Sequence, residues 1–126
     1  MCGRFTLRRR DLHVVRRELR AETGGSDVLW SPRYNIAPTD QVPILVRRET
    51  GARDPTTVTW GIPQSRNGRM VRQINARGES IGAGVSRCAV ISDGFYEWAG
   101  DKGSARQPYF FHRPDDGLIL FTGLWQ

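Results

Sequence analysis

Turn-forming residues divide this chain into apolar runs too short for helices. Val42 to Arg47, Thr56 to Trp60, Cys88 to Ile91, Tyr109 to His112 and Leu118 to Phe121 each read as a strand. Thr50-Gly51-Ala52-Arg53-Asp54-Pro55 is a turn that makes the first two runs a candidate hairpin. Pro114-Asp115-Asp116-Gly117 is a second turn. One stretch departs from this cadence. Asp11 is a helix N-cap in form, and Leu12, Val15 and Leu19 follow on one face at helical spacing, with Val14 beside them. Arg16, Arg17 and Arg20 fall on the other faces, so the helix is peripheral with an Arg-rich outer side. Many strands and one helix in 126 residues predict an α+β fold: a single β-rich domain, a mostly antiparallel sheet or open barrel with a peripheral N-terminal helix.

The remaining segments are less regular. Arg4 to Leu7 is a short strand. Thr23 to Ser31 is a loop with Gly24-Gly25. Pro32 to Thr39, bracketed by prolines, is extended but neither helix nor regular strand. Gly61-Ile62-Pro63 ends the hairpin, and Ser65-Arg66-Asn67-Gly68-Arg69 reads as a polar, basic loop. Val71 to Ala76 is a short extended piece that delivers Asn75 and Arg77. Gly78 to Gly84 holds at most a turn of helix. The strand at Cys88 runs on through Ser92-Asp93-Gly94 into Phe95-Tyr96-Glu97-Trp98, and Ala99 to Gln107 is a polar turn.

The formal net charge is +6, and 18 of the 19 basic residues are Arg, Lys102 being the exception. Arg is suited to bidentate contact with phosphate, so the balance points to a polyanion, most simply nucleic acid. No run reaches the length of a membrane-spanning helix, and no apolar leader opens the chain. Cys2 and Cys88 are the only cysteines, which fits a reducing compartment. Two Cys and two His scattered singly make no zinc set. Phosphate-binding and dinucleotide glycine loops are absent, so no metal or cofactor is expected.

Three places carry chemistry. Removal of Met1, favoured by the small residue after it, would leave Cys2 with an α-amine beside a thiol. That amine titrates at about 7.7–8.0 and is partly neutral at physiological pH. It can form an imine with an aldehyde, and the thiol can close on the imine carbon to give a thiazolidine. The plain alternative is a chance cysteine in a frayed terminus. The second place is Asn75-Ala76-Arg77-Gly78-Glu79, a polar set at a strand-to-turn junction. The third is Asp93-Gly94-Phe95-Tyr96-Glu97-Trp98, where alternation puts Phe95 and Glu97 on one face and Tyr96 and Trp98 on the other. Glu97 is a candidate general acid or base; alternatively it is a solvated strand residue and its aromatic neighbours are core. His13, beside the apolar stripe of the helix, reads as structural.

These residues carry a resemblance. Met1-Cys2-Gly3-Arg4-Phe5, Arg33-Tyr34-Asn35-Ile36-Ala37-Pro38-Thr39, Trp60-Gly61, Ile74-Asn75-Ala76-Arg77-Gly78-Glu79, Cys88 to Asp93, Gly94-Phe95-Tyr96-Glu97-Trp98, Gln107-Pro108-Tyr109-Phe110 and Phe121-Thr122-Gly123-Leu124-Trp125 occur in the order seen in the SRAP family, the SOS-response-associated peptidases. The resemblance spans residues 2 to 125. It implies a protein of the DNA damage and SOS response that binds single-stranded DNA and links Cys2 covalently to the aldehyde of an abasic site. In this assignment Cys2 is the nucleophile, Asn75 hydrogen-bonds the linkage and Glu97 is the acid/base. Arg4 and Arg77 contact phosphates, while Trp60 and neighbouring aromatics such as Phe95 pack or stack where the DNA turns. It further implies a monomer in the cytoplasm near the nucleoid, with no membrane partner and no cofactor. Peptidase, hydrolase or lyase-like activity comes with the family. A cysteine-dependent (auto)peptidase and a non-catalytic DNA-binding module are the alternatives. Relative to the family, residues 1–126 read as one domain that is C-terminally shortened. It stops before a His-x-Arg-x-Pro-type segment whose His assists ring opening and reversal. His112-Arg113-Pro114 matches that segment only locally and is not given its role. Gln64 to Arg69 and Gly82 to Arg87 are shorter than the DNA-facing loops usual there.

Overall fold

The computed structural model describes residues 2–9, 11–21, 31–77, 84–101 and 103–126. The loop around Gly24-Gly25, the turn after Gly78, Glu79, Lys102 and Met1 lie outside these residues. Among the described residues the order is β1 (Arg4–Leu7), α1 (Leu12–Leu19), β2 (Arg33–Ile36), β3 (Gln41–Arg47), β4 (Arg53–Thr59), β5 (Ile62–Arg66), β6 (Arg69–Gln73), β7 (Ser86–Ser92), β8 (Gly94–Ala99), β9 (Gln107–Phe111) and β10 (Ile119–Trp125). The fold is β-rich with antiparallel sheets, as the cadence of short runs predicts. One four-stranded sheet has the order β2-β1-β8-β9 and a second has β10-β7-β3-β4. The β5–β6 pair forms a ribbon of its own.

The core lies between the two large sheets because each turns one apolar face inward. In β3, Val42, Ile44 and Val46 are buried at a period of two, as a half-buried strand requires. Phe5 and Leu7 from β1, Ile36 from β2 and Ile91 from β7 meet them, and Val15 and Leu19 of α1 close the cluster. The helix forms where expected. Asp11 Oδ1 accepts from the backbone N–H groups of His13 and Val14 at 3.0 and 3.1 Å. At its other end Arg20 adopts a left-handed φ of 49°. The Arg53 guanidinium donates to the Leu19 carbonyl at 3.0 Å, tying the helix end to β4. Arg17 and Arg20 point to solvent, but Arg16 is half-buried, so the outer face is less uniformly basic than expected.

Three segments differ from their sequence reading. The segment after Pro32 is a strand at its centre: β2 pairs with β1 at the sheet edge, through Ile36 opposite Phe5 and Arg33 opposite Leu7. Only Ile36 of its four residues is buried, so the run carries little strand pattern. The basic loop is the β5–β6 hairpin, turned by Asn67 and Gly68 with φ of 52° and 73°. That pair of left-handed residues suits a tight two-residue turn. The continuous run from Cys88 to Trp98 is two strands in two different sheets, because the chain changes sheets at Asp93.

Asp93 makes that change possible. Its carboxylate is 1% exposed. It accepts from the Thr6 hydroxyl at 2.6 Å, the Arg8 backbone N–H at 2.7 Å and the Arg8 Nε at 3.3 Å, while its own N–H donates to the Thr6 carbonyl at 3.0 Å. Ser92 adds a hydroxyl bond to the Gly94 carbonyl at 2.9 Å. Next to it, Gly94 has no side chain because the Phe110 ring occupies that space; a Cβ would meet the ring at 2.4 Å. No helix among the described residues is long and apolar enough to cross a membrane. Asp93→Ala would leave the Arg8 backbone N–H unpaired and the Thr6 hydroxyl with only its longer bond, to the Gly94 carbonyl at 3.3 Å. It is expected to lower unfolding free energy by about 3 kcal/mol, read from urea denaturation followed by tryptophan fluorescence.

Candidate active site

β1 and β8 run antiparallel, with Arg4 opposite Tyr96, Phe5 opposite Phe95 and Thr6 opposite Gly94. Continuing this register past Arg4 sets Gly3 opposite Glu97 and Cys2 opposite Trp98. Phe95 marks the core side of β8: its ring meets Phe121 of the facing sheet edge-on at 5.6 Å and stacks on Phe111 at 5.2 Å. Alternation puts Glu97 on the same side, one step closer to the end of the sheet. Tyr96 and Trp98 share the outer face with Phe110. The pattern expected for this hexapeptide is the one observed.

Cys2 is half-buried and packs against the core. Its Sγ–H donates to the Arg4 carbonyl at 3.2 Å. Asn75 reaches it from a segment 73 residues away, and the Asn75 Nδ2 donates to the Cys2 carbonyl at 3.4 Å. Burial pushes the Cys2 thiol above its ordinary pKa. An interaction with the Arg4 backbone opposes this, and the negative charge of Glu97 adds to it. Cys2, Asn75 and Glu97, picked from separate stretches of sequence, therefore meet at one place. The second thiol, Cys88, is pushed by burial to about 11 and packs in β7 opposite Gly123, where a Cβ would come within 2.9 Å of its Sγ.

Trp60 holds Asn75 in position. Its indole N–H donates to the Ile74 carbonyl at 3.1 Å, and its ring lies 5.3 Å from that of Phe5. Gly61 adopts φ 111° and leaves room for Ile74, whose Cδ1 would lie 3.0 Å from a Cβ at that position. Backbone bonds from Thr39 to Trp60 and from Trp60 to Asp40 lock the corner. Trp60 packs on Phe5, and Phe95 on Phe111 and Phe121, so both rings lie in the aromatic packing beside the core. Arg4 lies on the outer face of β1, and its Nη1 donates to Asn35 Oδ1 at 3.0 Å. Arg77 is exposed two residues beyond Asn75. Asn35 was not singled out by sequence; its signal is its place in the Arg33–Thr39 segment, which pairs with β1. Among the described residues no group of three or more His, Cys, Asp or Glu side chains is placed to hold a metal ion.

The raised thiol has a measurable sign. With Met1 in place, Cys2 alkylation by iodoacetamide is expected to be slower at pH 7.5 than that of a free cysteine peptide, and to rise with pH through and beyond about 9. Glu97→Gln removes one raising influence and should move the curve to lower pH. Peptide-resolved mass spectrometry separates Cys2 from Cys88.

Comparison with known proteins bears on the family and the fold. The family model for the SOS response associated peptidase (SRAP) matches residues 1–126. The abasic site processing protein YobE of Bacillus subtilis is 24% identical, over 100% of this chain and 62% of its own length. The abasic site processing protein HMCES of Gallus gallus is 26% identical over 69% of this chain and 32% of its own. The crystal structure of a phage-related protein from Bordetella bronchiseptica superposes with a TM-score of 0.70 at 29% identity, covering 98% of this chain and 60% of that one. The chain thus spans about 60% of the length of the Bacillus relatives. A family model matched along the whole chain, over a fold shared with a solved relative, shows that this chain belongs to the SOS response associated peptidase (SRAP) family.

Proposed function

We propose that this protein captures abasic sites in single-stranded DNA through a covalent bond to Cys2. The observation that carries the reading is the convergence on Cys2 of Asn75, through its hydrogen bond, and of Glu97, through its charge. The names of the relatives, abasic site processing proteins, support the same substrate class.

The chemistry follows from the groups present. Once Met1 is removed, the neutral α-amine of Cys2 adds to the C1′ aldehyde of the ring-opened sugar and gives a carbinolamine. Glu97 accepts the proton released by the amine and returns it to the departing hydroxyl. One water leaves and an imine forms. The Cys2 sulfur then adds to the imine carbon. Its proton passes to the imine nitrogen, and a thiazolidine closes with no further change of oxidation state. Asn75 orients the residue through its carbonyl. Arg4 and Arg77 hold the flanking phosphates. A raised thiol pKa suits this order of events, amine first and sulfur second. It suits a thiolate-first peptidase poorly, because little thiolate exists at neutral pH. The protein acts as a monomer in the cytoplasm, near the nucleoid.

The test is incubation of the mature protein with an abasic oligonucleotide, read on a denaturing gel and by intact mass. The wild type is expected to form a stable adduct of protein plus DNA less one water. Cys2→Ala and Cys2→Ser keep the α-amine but lack the sulfur, and each should form one only when borohydride traps the imine. Glu97→Gln should slow capture about a hundredfold, and Asn75→Ala about tenfold. Equal adduct from Cys2→Ala and wild type would sink the proposal.

A further inference from the structure

Arg4 stands two residues from Cys2, and its carbonyl accepts from the Cys2 thiol at 3.2 Å. Its side chain is held from the neighbouring strand. Ile36 of β2 lies opposite Phe5 of β1, and both are buried on the core side. Alternation therefore turns Asn35 and Arg4 to the shared outer face. There the Arg4 Nη1 donates to Asn35 Oδ1 at 3.0 Å. Directly opposite Arg4, on its other side, is Tyr96 of β8. The Tyr96 hydroxyl reaches across β1 and donates to the Tyr34 carbonyl at 3.2 Å. That carbonyl belongs to the peptide unit that carries the Asn35 nitrogen. Three strands are laced together on this face, with Arg4 between Asn35 and Tyr96.

Asn is a poor strand former, and this one is exposed within a four-residue strand at the sheet edge. Its bond to Arg4 gives it a task there. The chemical character of the acceptor matters. Arg33 is paired with Asp40 and Arg48 with Asp54, carboxylates that cancel the charges they hold. The Asn35 amide oxygen is neutral. It takes one of the five guanidinium N–H bonds, restricts the long side chain to one direction and leaves the positive charge in place for an anion. A side chain fixed in advance loses less freedom on binding than a free one.

We propose that Asn35 is a positioning residue for abasic-site capture: it aims Arg4 without neutralising it. The seat so formed sets where the phosphate beside the captured sugar rests relative to Cys2. This proposal rests on the reading of Arg4 as a phosphate contact, and it does not depend on which bond Cys2 forms.

The test follows adduct formation against the concentration of an abasic oligonucleotide, which gives a limiting rate and a half-saturating concentration. Fluorescence anisotropy with unmodified oligothymidylate over a range of salt measures binding separately. Asn35→Ala frees the guanidinium, so half-saturation is expected to rise about fivefold while the limiting rate stays within about twofold of wild type. Asn35→Asp neutralises it. Half-saturation should then rise about thirtyfold, and the slope of log affinity against log salt should shrink by about 0.7, the value for one phosphate contact. Asn35→Ala should leave that slope near that of wild type. Arg4→Gln should match Asn35→Asp, and adding Asn35→Ala to it should cost nothing more. Half-saturation at the wild-type level in both Asn35 variants would overturn the assignment, as would an undiminished Asn35→Ala loss in the Arg4→Gln background. Oligothymidylate binding with this ordering of variants, but no adduct from wild type, would sustain the role of Asn35 and defeat the capture reading. Absence of wild-type binding would defeat both.

Discussion

A single buried carboxylate holds this architecture together. Asp93 sits where the chain leaves one sheet and enters the other, and it takes hydrogen bonds from Thr6 of the first strand and from Arg8 just beyond it. Buried charge is costly unless its lone pairs are filled, and here they are. The bond does more than join sheets. Thr6 lies four residues after Cys2, and Asp93 four residues before Glu97. Anchoring one pair therefore sets the register of the other. A slip of one residue would turn Glu97 to the outer face.

The parts of the fold legible in sequence were those with a local cause. Asp11 as a cap, the stripe of Val15 and Leu19, and the alternation of Val42, Ile44 and Val46 declare themselves within a few residues. The sheet change at Asp93 does not, because Cys88 to Trp98 is one strand-like run by composition and its break depends on Thr6, far away in sequence. The β5–β6 hairpin was missed for another reason. Asn67-Gly68 is a strong turn signal, but Gln64, Ser65, Arg66 and Arg69 flank it, and an isolated ribbon need not show apolar alternation. The site divides in the same way. Cys2, Asn75 and Glu97 were identifiable as chemistry-bearing residues. Their meeting depends on Trp60, whose indole bond to Ile74 no spacing rule announces.

The surroundings of Cys2 impose opposite demands on its two functional groups. Packing against the core and a nearby carboxylate keep the sulfur protonated. An α-amine at the same residue would meet that carboxylate as a proton acceptor. In the proposed capture, one environment would thus restrain the stronger nucleophile and assist the weaker one, separating the two steps of ring closure in time.

Asn75 grips Cys2 by its backbone carbonyl and not by its side chain. That bond is in that sense a grip on the backbone, indifferent to what stands on the Cα of residue 2. In the proposed capture the side chain would decide only which ring closes: sulfur would give a thiazolidine, a hydroxyl an oxazolidine, and hydrogen would leave the imine open. The lifetime of such a DNA bond would be separated from the geometry that forms it, with a single atom at position 2 setting the difference between a transient and a lasting attachment.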